Sequence, residues 1–381
     1  MQLLGIVAFV VALLFSVMVH EFGHYLMARR YGMWVSEFFL GFGKRIWSFT
    51  KGETEFGLKA IPAGGYCRIE GMAPGDQMPE GAEERAFYKA SSGKKLVVLG
   101  AGSFLHFVLG YLLLFTLFAG VGTNQVLPII GEVAPNSAAQ SAGIQAGDEI
   151  ISINGVKVTS WYKDVEVIRN SQGKELSIGI VRAGEKIFIT ATPRLTDIDG
   201  VKRYVLGIIN SIGLKRVGVA ESAKNAFTVT KSFITESARS LVKLPSKIPA
   251  LWGQTIHGEK RDANGLVGVV GVARVSGQAV GDSQLTIPER LATFILIIAS
   301  LNIFVGIFNL LPILPLDGGH MAVAIADETR ALFARFRGRP RPTAIDVTVL
   351  TPITMVVFVI LACLTLLLLV ADVINPVTLK L

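Results

Sequence analysis

The chain reads as an α-helical membrane protein with about four transmembrane helices, a membrane-associated β-hairpin or small sheet, and an inserted extracytoplasmic α+β domain. Three observations predict this. Hydrophobic residues make up 51% of the 381 positions and charged ones only 17%, too apolar for a soluble globular protein of this size. Four stretches, residues 3–26, 96–121, 289–311 and 350–374, are each long enough to cross a hydrocarbon core that needs about 20 apolar residues. Between the second and third, residues 124–210 change to short alternating strands and turns over roughly 85 positions, enough for one small independent core.

The first stretch carries no charge from Met1 to Val19. It lacks the basic region and small-residue cleavage site of a secretory signal, so a retained span is expected. Orientation follows from the basic residues of the short loops. Arg29, Arg30, Lys44, Arg45, Lys51, Lys59, Arg68, Arg85, Lys89, Lys94 and Lys95 lie between the first two spans, and "RALFARFRGRPRP" lies between the last two. Both loops are expected on the cytoplasmic side, with both chain ends and the middle segment 122–288 extracytoplasmic. The net charge of +8 then reports topology and attraction to anionic headgroups, and nucleic acid is not an expected partner. Cys67 and Cys363 fall in different compartments and cannot pair, so the outer domain must hold together without disulfides.

Four regions result: 1–121 with two spans and a membrane-associated β segment, 122–212 as the outer domain, 213–288 as an amphipathic and glycine-rich linker, and 289–381 with two more spans. Within the first, "YGMWVSEFFLGFGKRIWSFTKGETEFGLKAIPAGGYCRIEGM" predicts two or three short strands, with turns at "TKGET" and "PAGG". As a hairpin dipping into the membrane, this backbone must be covered by protein or water. In the outer domain, strands are expected at "IIGEV", "EIISIN", "ELSIGIV" and "KIFITATP", with helices near 136–142 and 160–170. Residues 215–262 show helical amphipathicity broken at Pro245 and Pro249, which suits either a helix at the membrane surface or a linker helix packed on the outer domain. "NGLVGVVGVARVSGQAVG" is apolar but too short and broken to span.

The first span ends in "VMVHEFGHYLMARR". His20-Glu21-Phe22-Gly23-His24 fits H-E-x-x-H, in which two imidazoles one helical turn apart reach one zinc ion while the glutamate stands beside it as a base. Ionisable groups at membrane depth are rare unless functional, which weighs against a chance match. A catalytic zinc takes three protein ligands and keeps a position for water. Candidates for the third are His106, His257, His320, Asp317, Asp346 and Asp372. "FNLLPILPLDGGH" places Asp317 after two helix-breaking prolines and before two glycines that allow close backbone approach, so Asp317 is the expected ligand.

"HEFGH" and "NLLPILPLDGG" together resemble the paired signatures of the site-2 protease family of intramembrane zinc metalloproteases. "APNSAAQSAGIQAGDEIISINGVKV" resembles a PDZ domain of the bacterial protease-associated type. The order span, PDZ unit, span is similar to the RseP-like bacterial members with a single PDZ domain, as are "GFGKRIW" and "AIPAGGYCRIEGM", and the resemblance covers nearly the whole chain. It implies a bacterial inner-membrane location, and Arg29 and Arg30 just beyond the motif place the expected active site near the cytoplasmic side. It also implies His20, His24 and Asp317 as zinc ligands, Glu21 as the base and Asn309 as a substrate-contacting or oxyanion-stabilising residue. Two positions depart from the family pattern. The second proline of Asn-x-x-Pro-x-Pro stands one place later, at Pro315, and the second span opens "GAGSFLHF" where members carry Gly-Pro-x-x-Asn. His106 takes that asparagine's place, as an extra ligand or a polar hydrogen-bonding cap. His320 is expected either behind the ligands or facing solvent, and His257 has no expected role.

The expected function is regulated intramembrane proteolysis. Zinc water chemistry assisted by Glu21 would cut transmembrane segments of single-span proteins, such as anti-sigma-factor-like regulators or remnant signal peptides. A substrate helix must unwind first, because its carbonyls are hydrogen-bonded internally. An edge strand within 44–70, tested along "ETEFGLKAIP", could receive it by strand addition, or the hairpin could simply plug the membrane face. The PDZ unit would act as a size filter or as a reader of trimmed substrate ends. The competing class is a metal-binding transporter or receptor, which needs the ligands but not Glu21.

Overall fold

The computed structural model describes residues 1–158, 161–198, 200–262 and 265–377. They form two compact units, one of residues 1–118 with 218–381 and the other of residues 119–217.

α1 (Gln2–Arg30) buries Gly5, Phe9, Ser16, His20, Gly23, His24 and Ala28, spaced so that they share one face. Leu3, Val7, Val11, Phe15 and Phe22 stay exposed on the rest, as suits a helix with protein on one side and lipid on the other. Arg29 and Arg30 end it where cations favour the helix dipole.

β1 (Val35–Lys51) and β2 (Thr54–Ile69) follow, joined tightly at Gly52 with φ +67° as "TKGET" predicts. They are longer than the expected short strands, and they fold over on themselves. Residues 37–40 pair with 65–68 on one side and 55–58 on the other, while 47–51 pair with 54–58. Four segments therefore lie side by side in the order 65–69, 35–40, 55–58, 47–51. Gly41 permits the fold-over: its φ is +88°, and a Cβ there would meet Ile61 O at 2.8 Å. "PAGG" is a bend within β2 and not a separate tight turn. The segment "ETEFGLKAIP", expected as an acceptor edge, is mostly internal to this sheet, and the edge beside α1 is 65–69. Arg85 clamps the turn to the end of α1, donating to Glu53 at 2.6 and 2.8 Å and to Gly32 O at 2.8 Å, and Arg29 also pairs with Glu53. Phe42, Ile46, Trp47, Phe49 and Ile61 are exposed on the sheet, an apolar patch that a membrane would cover.

α2 (Ser92–Thr116) continues into a π-helical turn over 117–121. In the second unit, β3 (Thr123–Val133), α3 (Ala138–Ser141), β4 (Glu149–Ile153), α4 (Trp161–Arg169), β6 (Leu176–Arg182) and β7 (Glu185–Ala191) lie near the expected elements, with the short β5 (Val156–Lys157) added after β4. β5, β8 (Arg194–Ile198), β9 (Val201–Val205) and β10 (Ile208–Lys215) were not expected from the sequence. The sheet runs β10-β3-β4-β6-β7, with β5 on β4 and β8–β9 as a separate hairpin. Ile130, Ile150, Ile153, Ile168, Ile178, Ile180, Leu176 and Leu206 form its core.

Asp148, 1% exposed, anchors this unit. It accepts from Arg182 Nε and Nη2 at 2.7 Å each and from Gln145 N at 2.8 Å. The Arg182 guanidinium holds its carboxyl below the ordinary range. A depressed folded-state pKa gives stability that is fully present above the unfolded value of about 4 and drains away as pH falls through the folded value. The protection of amides in β4 and β6, measured against their intrinsic exchange rates, should therefore fall between pH 5 and pH 3, and Asp148→Asn should show lower protection at pH 7 with most of that pH dependence removed; an unchanged profile would show that the pair is not coupled to folding.

α5 (Val219–Val242) packs on α2 and on α8 (Ile287–Asn309) through Ser222, Ala226 and Thr230. α6 (Leu244–Ile256) keeps Pro249 inside it, so that residue does not break the helix as expected. It forfeits only one backbone donor, close to the helix start. α7 (Val269–Gly281) lies against α1, where a Cβ on Gly277 would meet Gln2 O at 2.9 Å. Thr286 and Glu289 cap α8 reciprocally. α9 (Asp317–Phe336) and α10 (Thr351–Ile374) complete the chain. Among the described residues four helical segments are long and apolar enough to cross a membrane: 2–30, 92–121, 287–309 and 347–374.

α1, α2 and α8 form the helical core, and small residues bring them close: a Cβ on Gly110 would meet Ile303 at 2.7 Å, and one on Gly306 would meet Phe107 at 2.8 Å. α10 instead rests on α6 and α7. There buried Asp372 accepts from Gly271 N at 2.8 Å and pairs with Arg261 at 3.1 Å.

Candidate metal centre

His20 and His24 project from one face of α1 with ring centroids 4.7 Å apart. Gly23, between them in the motif, lets α2 press against that face, since a Cβ there would meet Ala101 O at 2.6 Å. Gly102 does the same from α2: a Cβ on it would meet His20 Cε1 at 2.5 Å and His24 Nε2 at 2.6 Å. Neither glycine was marked by sequence reasoning, although Gly23 lies inside the motif and Gly102 inside "GAGSF".

The crossing brings Val98 O to 2.8 Å from His24 Nδ1, which donates to it and leaves His24 Nε2 as a lone pair. His20 Nε2 lies 3.1 Å from His24 Nε2. Asp317 Oδ2 lies 3.2 Å from the first and 3.3 Å from the second. Asp317 comes to this place because α8 ends at Asn309 and the chain turns sharply through 310–316 before α9 begins. Gly318 and Gly319 make the turn possible: a Cβ on Gly318 would meet Leu311 O at 2.3 Å, and one on Gly319 would meet Leu314 N at 2.4 Å.

Three acceptor atoms thus converge within hydrogen-bonding range of one another. In a tetrahedron the edge is about 1.6 times the centre-to-corner distance, so this spacing suits an ion about 2.0 Å from each atom, the usual distance for zinc with nitrogen and oxygen ligands. Two imidazoles and a carboxylate are also a donor set that zinc favours, so the residues fit the ion. Among the described residues His20, His24 and Asp317 form the one group of this kind.

Glu21 stands beside the triangle, and its Oε2 accepts from Cys67 N at 2.9 Å. The edge segment 65–69 of the sheet therefore fixes the carboxylate, a contact across 46 positions that no motif discloses. Asn309, the last residue of α8, brings Nδ2 to 3.5 Å from His20 Nε2. Other expected candidates lie elsewhere. Asp346 accepts from Thr348 N, Asp372 pairs with Arg261, and His257 follows α6. His320 lines a small cavity with Lys95 and Asp327. His106 is buried, and its Nδ1 lies 2.9 Å from Asn302 Oδ1. Cys67 and Cys363 are both free.

Long apolar helices enclosing a histidine–histidine–aspartate triangle with an adjacent glutamate define a membrane-embedded zinc hydrolase. The chain belongs to Peptidase family M50, the site-2 proteases, whose family model matches residues 8–360. It is 33% identical over 411 residues to "Zinc metalloprotease Rip1" of Mycobacterium tuberculosis, covering 98% of each chain. It is 34% identical over 408 residues to "Zinc metalloprotease Rip1" of Mycolicibacterium smegmatis, again covering 98% of each. The chain is accordingly a zinc metalloprotease of the membrane, with Zn2+ as its metal.

Proposed function

We propose that this chain hydrolyses peptide bonds within the transmembrane segments of single-span proteins, such as anti-sigma-factor-like regulators or remnant signal peptides. His20, His24 and Asp317 hold the zinc, Glu21 is the base and Asn309 is the donor to the substrate carbonyl. The observation that carries this reading is the triangle of ligand atoms, no side longer than 3.3 Å, with Glu21 anchored next to it.

When bound, zinc acidifies a water and polarises the scissile carbonyl. Glu21 takes the proton at Oε1, because Oε2 is engaged by the Cys67 N–H, and returns it to the leaving nitrogen. Asn309 Nδ2 donates to the carbonyl oxygen as that atom gains charge. The apolar walls of α1, α2 and α8 keep bulk water away, which strengthens both contacts.

The four apolar helical segments cross the membrane, the basic residues from Arg29 to Lys95 and of "RALFARFRGRPRP" (330–342) mark the cytoplasmic side, and 122–288 lies outside. The unit within 119–217 is the PDZ domain that screens substrates. The unwound substrate lines up along 65–69, the edge nearest Glu21. Binding a single-span substrate should slow amide exchange in 65–69 and leave 55–58 unchanged; protection confined to 55–58 would refute this placement. The transporter alternative loses its ground, because the chain belongs to a protease family and Glu21 is positioned by a dedicated hydrogen bond.

The test is zinc per chain together with cleavage of a single-span substrate by purified protein. Wild type should hold one equivalent and release a chelator-sensitive fragment. His20→Ala and Asp317→Ala should lose both. An Asp317→Ala protein that keeps its zinc and cleaves would remove Asp317 from the ligand set.

A further inference from the structure

The two histidines of the triangle are not supported equally. A histidine that binds metal through Nε2 carries its proton on Nδ1, and that N–H needs an acceptor to fix the ring and sharpen its basicity. Val98 O serves His24 at 2.8 Å. His20 Nδ1 is buried and has no hydrogen-bond partner among the described residues. Gly102 of α2, on which a Cβ would stand 2.7 Å from this nitrogen, has no side chain to offer.

One turn further along α2, on the same face, stands His106, whose ring centroid is 5.0 Å from that of His20. Its protonation pattern is set from behind. Ser16 Oγ donates to Ala12 O at 2.8 Å, so it can only accept from Asn302 Nδ2 at 3.1 Å. Asn302 Nδ2 also donates to Ile298 O at 2.8 Å. With both amide hydrogens committed, Asn302 must turn its oxygen to His106, and the 2.9 Å contact makes His106 Nδ1 the donor. A neutral imidazole that donates through Nδ1 has an accepting lone pair on Nε2. Asn302 and His106 are 1% and 2% exposed, so water does not compete for this chain.

We propose that His106 is the positioning residue for His20: with zinc bound, His106 Nε2 accepts the His20 Nδ1–H, and the chain Ser16–Asn302–His106 gives His20 the support that Val98 O gives His24. This rests on the ligand assignment above. It uses one buried side chain from each of the three core helices, so the metal and the packing of α1, α2 and α8 are set together.

The experiment is zinc affinity of the full-length protein in detergent by chelator competition, with the visible spectrum of the cobalt-loaded form as a second readout. His106→Phe keeps the ring volume and removes both nitrogens; affinity should fall about 10- to 100-fold and the cobalt bands should shift. His106→Gln offers an amide hydrogen to Asn302 and an oxygen to His20, and should restore most of the loss. Ser103→Ala, which removes a neighbouring buried hydroxyl, should bind zinc as wild type does. Wild-type affinity and spectrum in His106→Phe, or a loss in Ser103→Ala equal to that in His106→Phe, would overturn the proposal. Should His106→Phe not fold, Asn302→Leu keeps the imidazole and removes its anchor, and unchanged affinity there overturns the proposal equally. His20→Ala serves as the reference: if it retained wild-type zinc, the ligand assignment would be at fault and not the role of His106.

Discussion

Replacing Glu21 by glutamine should lower cleavage of a single-span substrate by roughly 10²- to 10⁴-fold, the usual contribution of a positioned base, and leave zinc content unchanged. Glutamine has nearly the same volume and keeps a side-chain oxygen for the Cys67 N–H that Glu21 Oε2 accepts at 2.9 Å. The sheet edge should therefore stay docked and the ligand triangle, which lies on other residues, should stay intact. What glutamine cannot do is take a proton. Cleavage and metal content thus separate in this variant, whereas His20→Ala removes both. The measurement is single-turnover cleavage beside metal analysis on the same preparation. Residual cleavage within tenfold of wild type would mean that another group takes the proton.

How far this arrangement is legible in the sequence depends on whether the interacting residues are neighbours along the chain. His20 and His24 are joined by helical periodicity, and Asp317 is marked by the broken helix and glycines around it; both are local patterns with a direct physical meaning. The four apolar helices follow from composition alone, and the small strands of the outer unit from alternation. β8 and β9 were missed because "RLTDIDGVKRYV" intersperses Arg194, Asp197, Lys202 and Arg203 among its apolar residues, and β10 because "IINSIGLK" places its apolar residues without strict alternation, so no apolar period of two shows. The fold-over of β1 and β2 was missed because it depends on Gly41 meeting the backbone of Ile61, a contact between residues twenty apart. Cys67 was invisible for a simpler reason: what it gives Glu21 is a backbone N–H, which every residue but proline has. Asn302 looks in the sequence like one polar interruption of an apolar span. Only its pairing with Ser16 and His106, from two other helices, shows why burial there is tolerable.

The second large effect is expected at Gly102, a residue with no chemistry of its own. In Gly102→Ala the new methyl would stand 2.5 Å from His20 Cε1, 2.6 Å from His24 Nε2 and 2.7 Å from His20 Nδ1. All three are shorter than carbon side chains tolerate, and none of these atoms is the end of a flexible chain. Relief by moving α2 away from α1 is opposed by α8, because Gly110 already brings α2 against Ile303. The imidazoles must therefore turn, which spreads the ligand atoms from the spacing that zinc needs. Zinc affinity should fall by about 100-fold or more, at the upper end of what loss of ligand support costs, and cleavage should fall with it. Helix propensity pulls the other way, since alanine favours a helix interior over glycine by about 0.5–1 kcal/mol. Gly100→Ala supplies the matched control on the same helix: its methyl would meet only Met321 Cε, at 3.7 Å, so zinc binding should be unchanged. If both variants bound zinc equally well, α2 would be free to retreat from α1, and the close crossing could not be what holds the two histidines together.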